Sequence, residues 1–286
     1  MKKFEVTNHE PSFLPDGNWK LVWADEFDGT ELDRTKWNFR LNFWGKRFDA
    51  YTEEGIVFDG DSHIELHRVE KDGYYVSPQL QTGANSFDAP KDSEGIWPIG
   101  TIDSPKFEHR YGYYECRCKF PKEPDVMWSA FWLQSPSIGM TYDPKWCGIE
   151  NDIMENFFVG KASTGNIYGG YGKQYVDEGR VYYDLKNTDD GWHYFGMDWR
   201  PDGYTFYCDG QEISRANEKV SSVPQFILLT TEIRGYRAGT PLKVGEHSVE
   251  YKNKSIGKIE KIRDEFIDDA FIVDFVRVFD RVENNE

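Results

Sequence analysis

Apolar and polar residues alternate along this chain in short runs. Ser62 to Val69 (SHIELHRV) sets Ile64 and Leu66 two apart. Tyr111 to Phe120 (YGYYECRCKF) puts Tyr114, Cys116 and Cys118 on one face and Glu115, Arg117 and Lys119 on the other. Tyr204 to Cys208, Gln225 to Thr231 and Phe271 to Phe279 are similar runs. A period of two in β-branched and aromatic residues predicts strands. Asp-Gly, which suits the positive φ angles of tight hairpins, occurs seven times, beginning at Asp16-Gly17 and ending at Asp209-Gly210. Helical periodicity is weak, and only Ser255 to Phe266 is entertained as partly helical. No repeat or Pro/Ser-rich linker interrupts the pattern. It predicts one all-β domain over residues 1–286, a two-sheet antiparallel β-sandwich, with residues 1–17 as an N-terminal extension. A sandwich of this size curves one sheet into a concave face where an extended ligand lies.

Composition narrows the ligand. The 286 residues carry a formal net charge of −16 and include 10 Trp, 17 Tyr and 20 Phe. Nucleic acid is disfavoured, because phosphate recognition needs a basic face. An anionic membrane surface is disfavoured for the same reason. No run approaches the roughly 18–20 apolar residues of a membrane-spanning helix. The aromatic surplus suits a groove for flat-faced neutral ligands such as sugars, although aromatics also fill sandwich cores. The basic start Met1-Lys2-Lys3 has no apolar stretch behind it. The expectation is therefore a cytoplasmic protein, or an extracellular one if this is a mature or trimmed form. Cys116, Cys118, Cys147 and Cys208 have no zinc-site spacing and read as small core residues.

The sharpest chemical signal is Glu150-Asn151-Asp152-Ile153-Met154-Glu155. On a strand, Glu150 and Asp152 share a face, roughly 6.5–7 Å apart along the backbone. Strict alternation sends Glu155 to the opposite face. One extra residue at Ile153-Met154, a β-bulge, brings it back. Three acids on one face repel one another and raise each other's pKa, which is costly for a purely structural role. Retaining glycoside hydrolysis uses such a group: one carboxylate attacks the anomeric carbon and another protonates the leaving oxygen, then activates water. A middle acid can tune both neighbours. A solvated outer face or a calcium site are the alternatives, though strand-borne acids lack the loop carbonyls that calcium sites use.

The surroundings of this hexapeptide resemble glycoside hydrolase family 16, the β-jelly-roll endoglycanases. The resemblance runs through Trp19–Trp37 (WKLVWADEFDGTELDRTKW), Tyr111–Gln134, Glu150–Glu155, Gly191–Gly210 and Phe271–Phe279, in the family's order and across nearly the whole chain. It implies a concanavalin-like β-jelly roll, with Glu150 as nucleophile, Asp152 as assisting acid and Glu155 as general acid/base. It implies Trp128 and Trp146 beside the cleft, stacking on sugar rings, while Trp132 is assigned to the core. Asn151 departs from the apolar residue usual in the family, and a polar group there needs a partner. Tyr168 stands where many β-glucan-active members have a sugar-facing His. Trp44 and Tyr236 are weaker loop candidates. Arg234 and Arg237, beside Tyr236, are read as pairing with surface acids.

His63 and His67 lie on a predicted strand and make poor zinc partners, and His193 reads as a satisfied structural histidine. Asp274 matches an acid that completes a structural calcium site in many relatives, with a buried hydrogen-bonded acid as the equal alternative. Catalysis by the carboxylates needs no cofactor. The expected partner is a polysaccharide, and the expected state is a monomer. The expected activity is retaining endo-hydrolysis of a β-1,3- or mixed β-1,3/1,4-glucan. An endo-β-galactanase of agar, porphyran, carrageenan or arabinogalactan is the alternative substrate reading. A non-catalytic glycan-binding module is the alternative class, against which the retention of all three acids weighs.

Overall fold

The computed structural model describes residues 1–43, 46–86, 101–122, 127–186, 188–233, 242–243 and 269–282. Ser255–Phe266, Trp44 and the loop carrying Arg234, Tyr236 and Arg237 lie outside them.

Two antiparallel sheets face each other. One runs Val69–Lys71, Tyr74–Gln81, Phe226–Ile233, Met127–Gln134, Glu150–Phe158, Lys161–Tyr168, Val176–Asp184. The other runs Gln211–Ala216, Gly203–Cys208, His193–Arg200, Gly112–Lys119, Ala270–Val282, Ile64–His67, Ile56–Phe58, with Asn18–Asp25 also paired to Ala270–Val282. The β-sandwich expected from the alternation is therefore the fold. Two of the Asp-Gly pairs, Asp72-Gly73 and Asp209-Gly210, close hairpins with both residues at positive φ. Among the described residues the only helix is the single turn Pro144–Cys147, and no helix is long and apolar enough to cross a membrane.

The core lies between the sheets. Tyr114, Cys116 and Cys118 from one sheet meet Phe131, Leu133, Ile153, Met154, Ile227 and Leu229 from the other. All four cysteines are free and buried, as small core residues are. Both Ile153 and Met154 enter this core although they are adjacent in sequence. Strict alternation forbids that, so the strand must bulge between them.

On the outer face of the second sheet Glu115 and Arg117 are buried, and the N-terminal residues pack there. Lys2–Phe4 pairs with Ser12–Leu14 as a small two-stranded sheet. The Phe13 N–H donates to Glu115 Oε1 at 3.0 Å, and Phe4 packs edge-on against Phe279 at 5.1 Å.

Candidate active site

The strand Glu150–Phe158 carries the three acids. Across the Met127–Gln134 strand, Gln134 pairs with Glu150, Trp132 with Asp152 and Ala130 with Glu155, the register shifting between Phe131 and Trp132. On its other side Asp152 pairs with Gly165 and Glu155 with Ser163. Two residues, Ile153 and Met154, thus oppose one, Thr164. This is the bulge inferred from the sequence. It turns two consecutive apolar side chains into the core and leaves all three acids on the opposite face.

There the acids line a cleft of about 250 Å³ with Trp128, Trp132, Phe48, Tyr51, Tyr171, Tyr175 and Glu232. The Trp128 indole N–H donates to Glu155 Oε1 at 3.1 Å. Trp132 is buried, as assigned, in a small cluster with Ala130, Phe226 and Leu228, but on the cleft side of its sheet, where its N–H donates to Thr230 Oγ1 at 3.0 Å and the Arg40 guanidinium stacks 5.1 Å from the ring. Period two explains this, since 128, 130 and 132 share a face while Phe131 and Leu133 fill the core.

Trp146 is not brought to the cleft. The turn Pro144–Cys147 buries Pro144 and Cys147 and leaves Trp146 70% exposed. Tyr168 also points away. Ile167, its neighbour, lines the cleft, so alternation packs Tyr168 against the core. Tyr171 occupies the cleft instead. After the strand ends at Tyr168, Gly169 adopts φ 80°, where a Cβ would lie 2.0 Å from the Gln174 carbonyl oxygen. The chain reverses there, and the Tyr171 hydroxyl donates to Glu150 Oε2 while Gln134 Nε2 donates to it at 2.5 Å.

Sequence reasoning also missed Arg180, on Val176–Asp184. Its Nη2 meets Asp152 Oδ2 at 2.7 Å, its Nη1 meets Glu155 Oε2, and its Nε donates to Asp177 Oδ2 at 2.8 Å. No local motif marks it, because it is two strands away from the acids. Asn151 is satisfied on the face away from the acids, donating to Asn166 Oδ1 at 2.6 Å and accepting from Gln225 Nε2 at 2.9 Å.

The electrostatics follow from this crowding. Burial, then the negative charges of Glu155 and Glu150, push the Asp152 carboxyl well above the usual carboxylate range, against the opposing pull of Arg180. Burial and the Glu150 carboxylate push the Tyr171 hydroxyl up, so it stays a proton donor. Burial disfavours the charged form of Arg180, but Glu155 and Asp152 outweigh it and hold the guanidinium positive.

Asp274 is a buried acid paired with Arg117, whose Nη1 sits 2.6 Å from its Oδ2. Among the described residues, one group of mixed donors could share an ion: His193, Cys208 and Asp209, outside the cleft. There His193 Nδ1 meets Asp209 Oδ2 at 2.8 Å, as expected of a structural histidine.

The site is thus a cleft in an antiparallel sandwich, floored by three acids and lined by tryptophan. The model of glycosyl hydrolases family 16 matches residues 26–253, and the chain belongs to this family. A xylanase/beta-glucanase of Ruminococcus flavefaciens is 29% identical over 74% of this chain and 25% of its own length. Glucan endo-1,3-beta-glucosidase A1 of Niallia circulans is 25% identical over 67% of this chain and 28% of its own. The chain thus spans about a quarter of the length of these relatives. The catalytic domain of an endo-1,3-beta-glucanase (laminarinase) from Thermotoga petrophila RKU-1 shares the fold, with a TM-score of 0.63 and 22% identity over 93% of this chain and 100% of that one.

Proposed function

We propose that the protein is a retaining endo-glycoside hydrolase that cleaves internal bonds of a β-1,3- or mixed β-1,3/1,4-glucan and acts as a single-domain monomer. The observation that carries the reading is the bulge at Ile153-Met154, which sets Glu150, Asp152 and Glu155 side by side on the floor of one cleft. The names of the relatives above support the substrate class.

In the first half-reaction a Glu150 carboxylate oxygen attacks the anomeric carbon as the glycosidic C–O bond breaks, and Glu155 gives its proton to the leaving oxygen. In the second, Glu155 takes a proton from water, the water oxygen bonds to the anomeric carbon, and Glu150 leaves. Tyr171 holds Glu150 in position through its hydroxyl. Asp152, raised toward its protonated form, lies between the two and separates their charges. Trp128 and Trp132 offer indole faces to sugar rings. No step calls for a cofactor.

A reducing-sugar screen over laminarin, lichenan, agarose, porphyran, carrageenan and arabinogalactan tests the substrate. Release from laminarin or lichenan, with the β-anomer first in product NMR, is the expected result. Release from the galactans alone would transfer the reading to an endo-β-galactanase, and glycan binding without release from any would make the protein a binding module.

A further inference from the structure

We propose that Glu232, held in place by Tyr51, is a substrate-binding residue that takes a hydroxyl of the sugar next to the one being cleaved. The inference rests on the reading of the cleft as a glucan-hydrolysing site and names a further part of that site.

Glu232 stands two strands away from the three acids. Phe226–Ile233 pairs with Met127–Gln134, which pairs in turn with Glu150–Phe158. Paired strands lie about 4.8 Å apart, so Glu232 is roughly 10 Å across the sheet from the acid strand. That distance sets its carboxyl beside the reacting centre rather than on it. Alternation turns Thr230 and Glu232 to the same face, and both line the cleft. Trp128 is the partner of Glu232 in the register but leans away from it. The Trp128 ring packs 4.9 Å from Phe157, on the far neighbouring strand, and its N–H bonds Glu155. The lining beside Glu232 is then made by the small side chains of Ala130 and Thr230, which leave space for a ring.

Tyr51 fixes the carboxyl from the other side. The short strand Tyr51–Thr52 pairs in parallel with Ser77 and Pro78. Tyr51 is buried, its ring packs 5.2 Å from Phe48, and its hydroxyl donates to Glu232 Oε1 at 3.0 Å. Among the described residues Tyr51 is the one side chain bonded to this carboxyl, and no cation pairs with it. A carboxyl tethered by one bond keeps bonding capacity in either protonation form, and a sugar hydroxyl can both donate and accept. Ligand pockets orient what they bind with a few convergent polar groups of this kind. Each internal glucose of a β-glucan keeps free hydroxyls for the contact.

The test is binding and turnover of laminarihexaose. Binding is read by isothermal titration calorimetry with Glu150→Gln in every protein, so that the ligand survives, and turnover in proteins that keep Glu150. A hydrogen bond to a carboxyl corresponds to roughly tenfold in affinity. Glu232→Ala should therefore raise Kd and KM about tenfold and leave kcat within about twofold, as when binding is lost equally from ground and transition states. Glu232→Gln keeps an oxygen for Tyr51 and a polar group for the sugar, and should stay within about threefold of wild type. Tyr51→Phe should weaken binding in the same direction. Added to Glu232→Ala it should change nothing further, because Tyr51 acts through Glu232. A folded Glu232→Ala protein that binds laminarihexaose as tightly as its parent overturns the proposal, as does a fall in kcat with KM and Kd unmoved. Should Glu232→Ala not fold, Tyr51→Phe decides, and an unchanged Kd there overturns the proposal. If the wild type releases no sugar from laminarin, the glucan reading fails and the role of Glu232 with it. Wild-type release beside unchanged binding in Glu232→Ala removes the role of Glu232 alone.

Discussion

Two clusters of buried charge among the described residues, one on the outer face of each sheet, are built differently. Under the N-terminal residues, Arg277 is fully buried and makes a two-pronged pair with Glu26 at 2.8 and 2.7 Å. Its third nitrogen donates to the Glu10 carbonyl oxygen and Ser12 Oγ at 2.8 and 2.9 Å. Arg117 pairs with Asp274 close by. Here acids and guanidiniums are matched, and residues 2–14 close over them. In the cleft, Asp152 and Glu155 share the guanidinium of Arg180, Glu150 stands beside them, and the site opens into a cavity. The same residue types serve opposite ends. Paired and covered charges fix the packing of the outer face, whereas acids crowded beside a cavity drive the Asp152 carboxyl toward its protonated form.

The comparison breaks if the two clusters respond alike to mutation. The largest expected effect is Glu150→Gln, which should lower turnover on the glucan by on the order of 10³-fold or more, over 4 kcal/mol of barrier. Its Tm should not fall, because one of three repelling acids is gone; a retained rate in the reducing-sugar assay would refute the cleft's role. Next is Arg277→Leu, which strands the Glu26 carboxylate and should cost about 3–5 kcal/mol in urea unfolding, with kcat of the folded fraction unchanged.

Glu115 sharpens the contrast through pH. Burial pushes its carboxyl up to about 7 from 4.5, with Ser12, the Phe13 N–H and Arg277 pulling the other way. Between those values the folded protein keeps a proton that the unfolded chain has lost, so this residue's contribution to stability falls as pH rises through the window. Glu115→Gln should remove that dependence, gaining up to about 3 kcal/mol at pH 8 and little at pH 4, followed by denaturant titration at each pH. Trp128→Ala should weaken glucan binding by about 1–3 kcal/mol, read in KM by kinetics on laminarin. Smallest is Trp146→Ala. With the ring exposed, both Tm and KM should stay within about 0.5 kcal/mol of wild type, and a clear rise in KM would return Trp146 to the cleft.

How much of this was legible in the sequence depends on the range of the interaction. Alternation at Tyr111–Phe120 was local, so the core face of Tyr114, Cys116 and Cys118 could be read directly. The spacing of Glu150, Asp152 and Glu155 was local as well. The bulge was readable because only one extra residue reconciles three acids with a period of two. The same rule, applied to Trp128 and Trp132, would have placed both rings on one face. Trp132 is buried, but with Ala130, Phe226 and Leu228 on the cleft side of the sheet, and nothing local says which face that is. Trp146 and Tyr168 are implied at the cleft by the family resemblance alone, and a helical turn and strand alternation direct them elsewhere.

The sequence by itself determined the strand periodicity, the hairpins and the clustering of acids, since backbone pleat and turn geometry depend on neighbours one to five residues apart. Only the tertiary structure decided what surrounds the acids. Tyr171 reaches Glu150 through a glycine reversal, Arg180 reaches Asp152 and Glu155 across an intervening strand, and residues 2–14 cover Glu115 from about a hundred positions away. Those contacts set the charge balance of each cluster, and Coulombic and desolvation energies depend on distance in space rather than on separation along the chain.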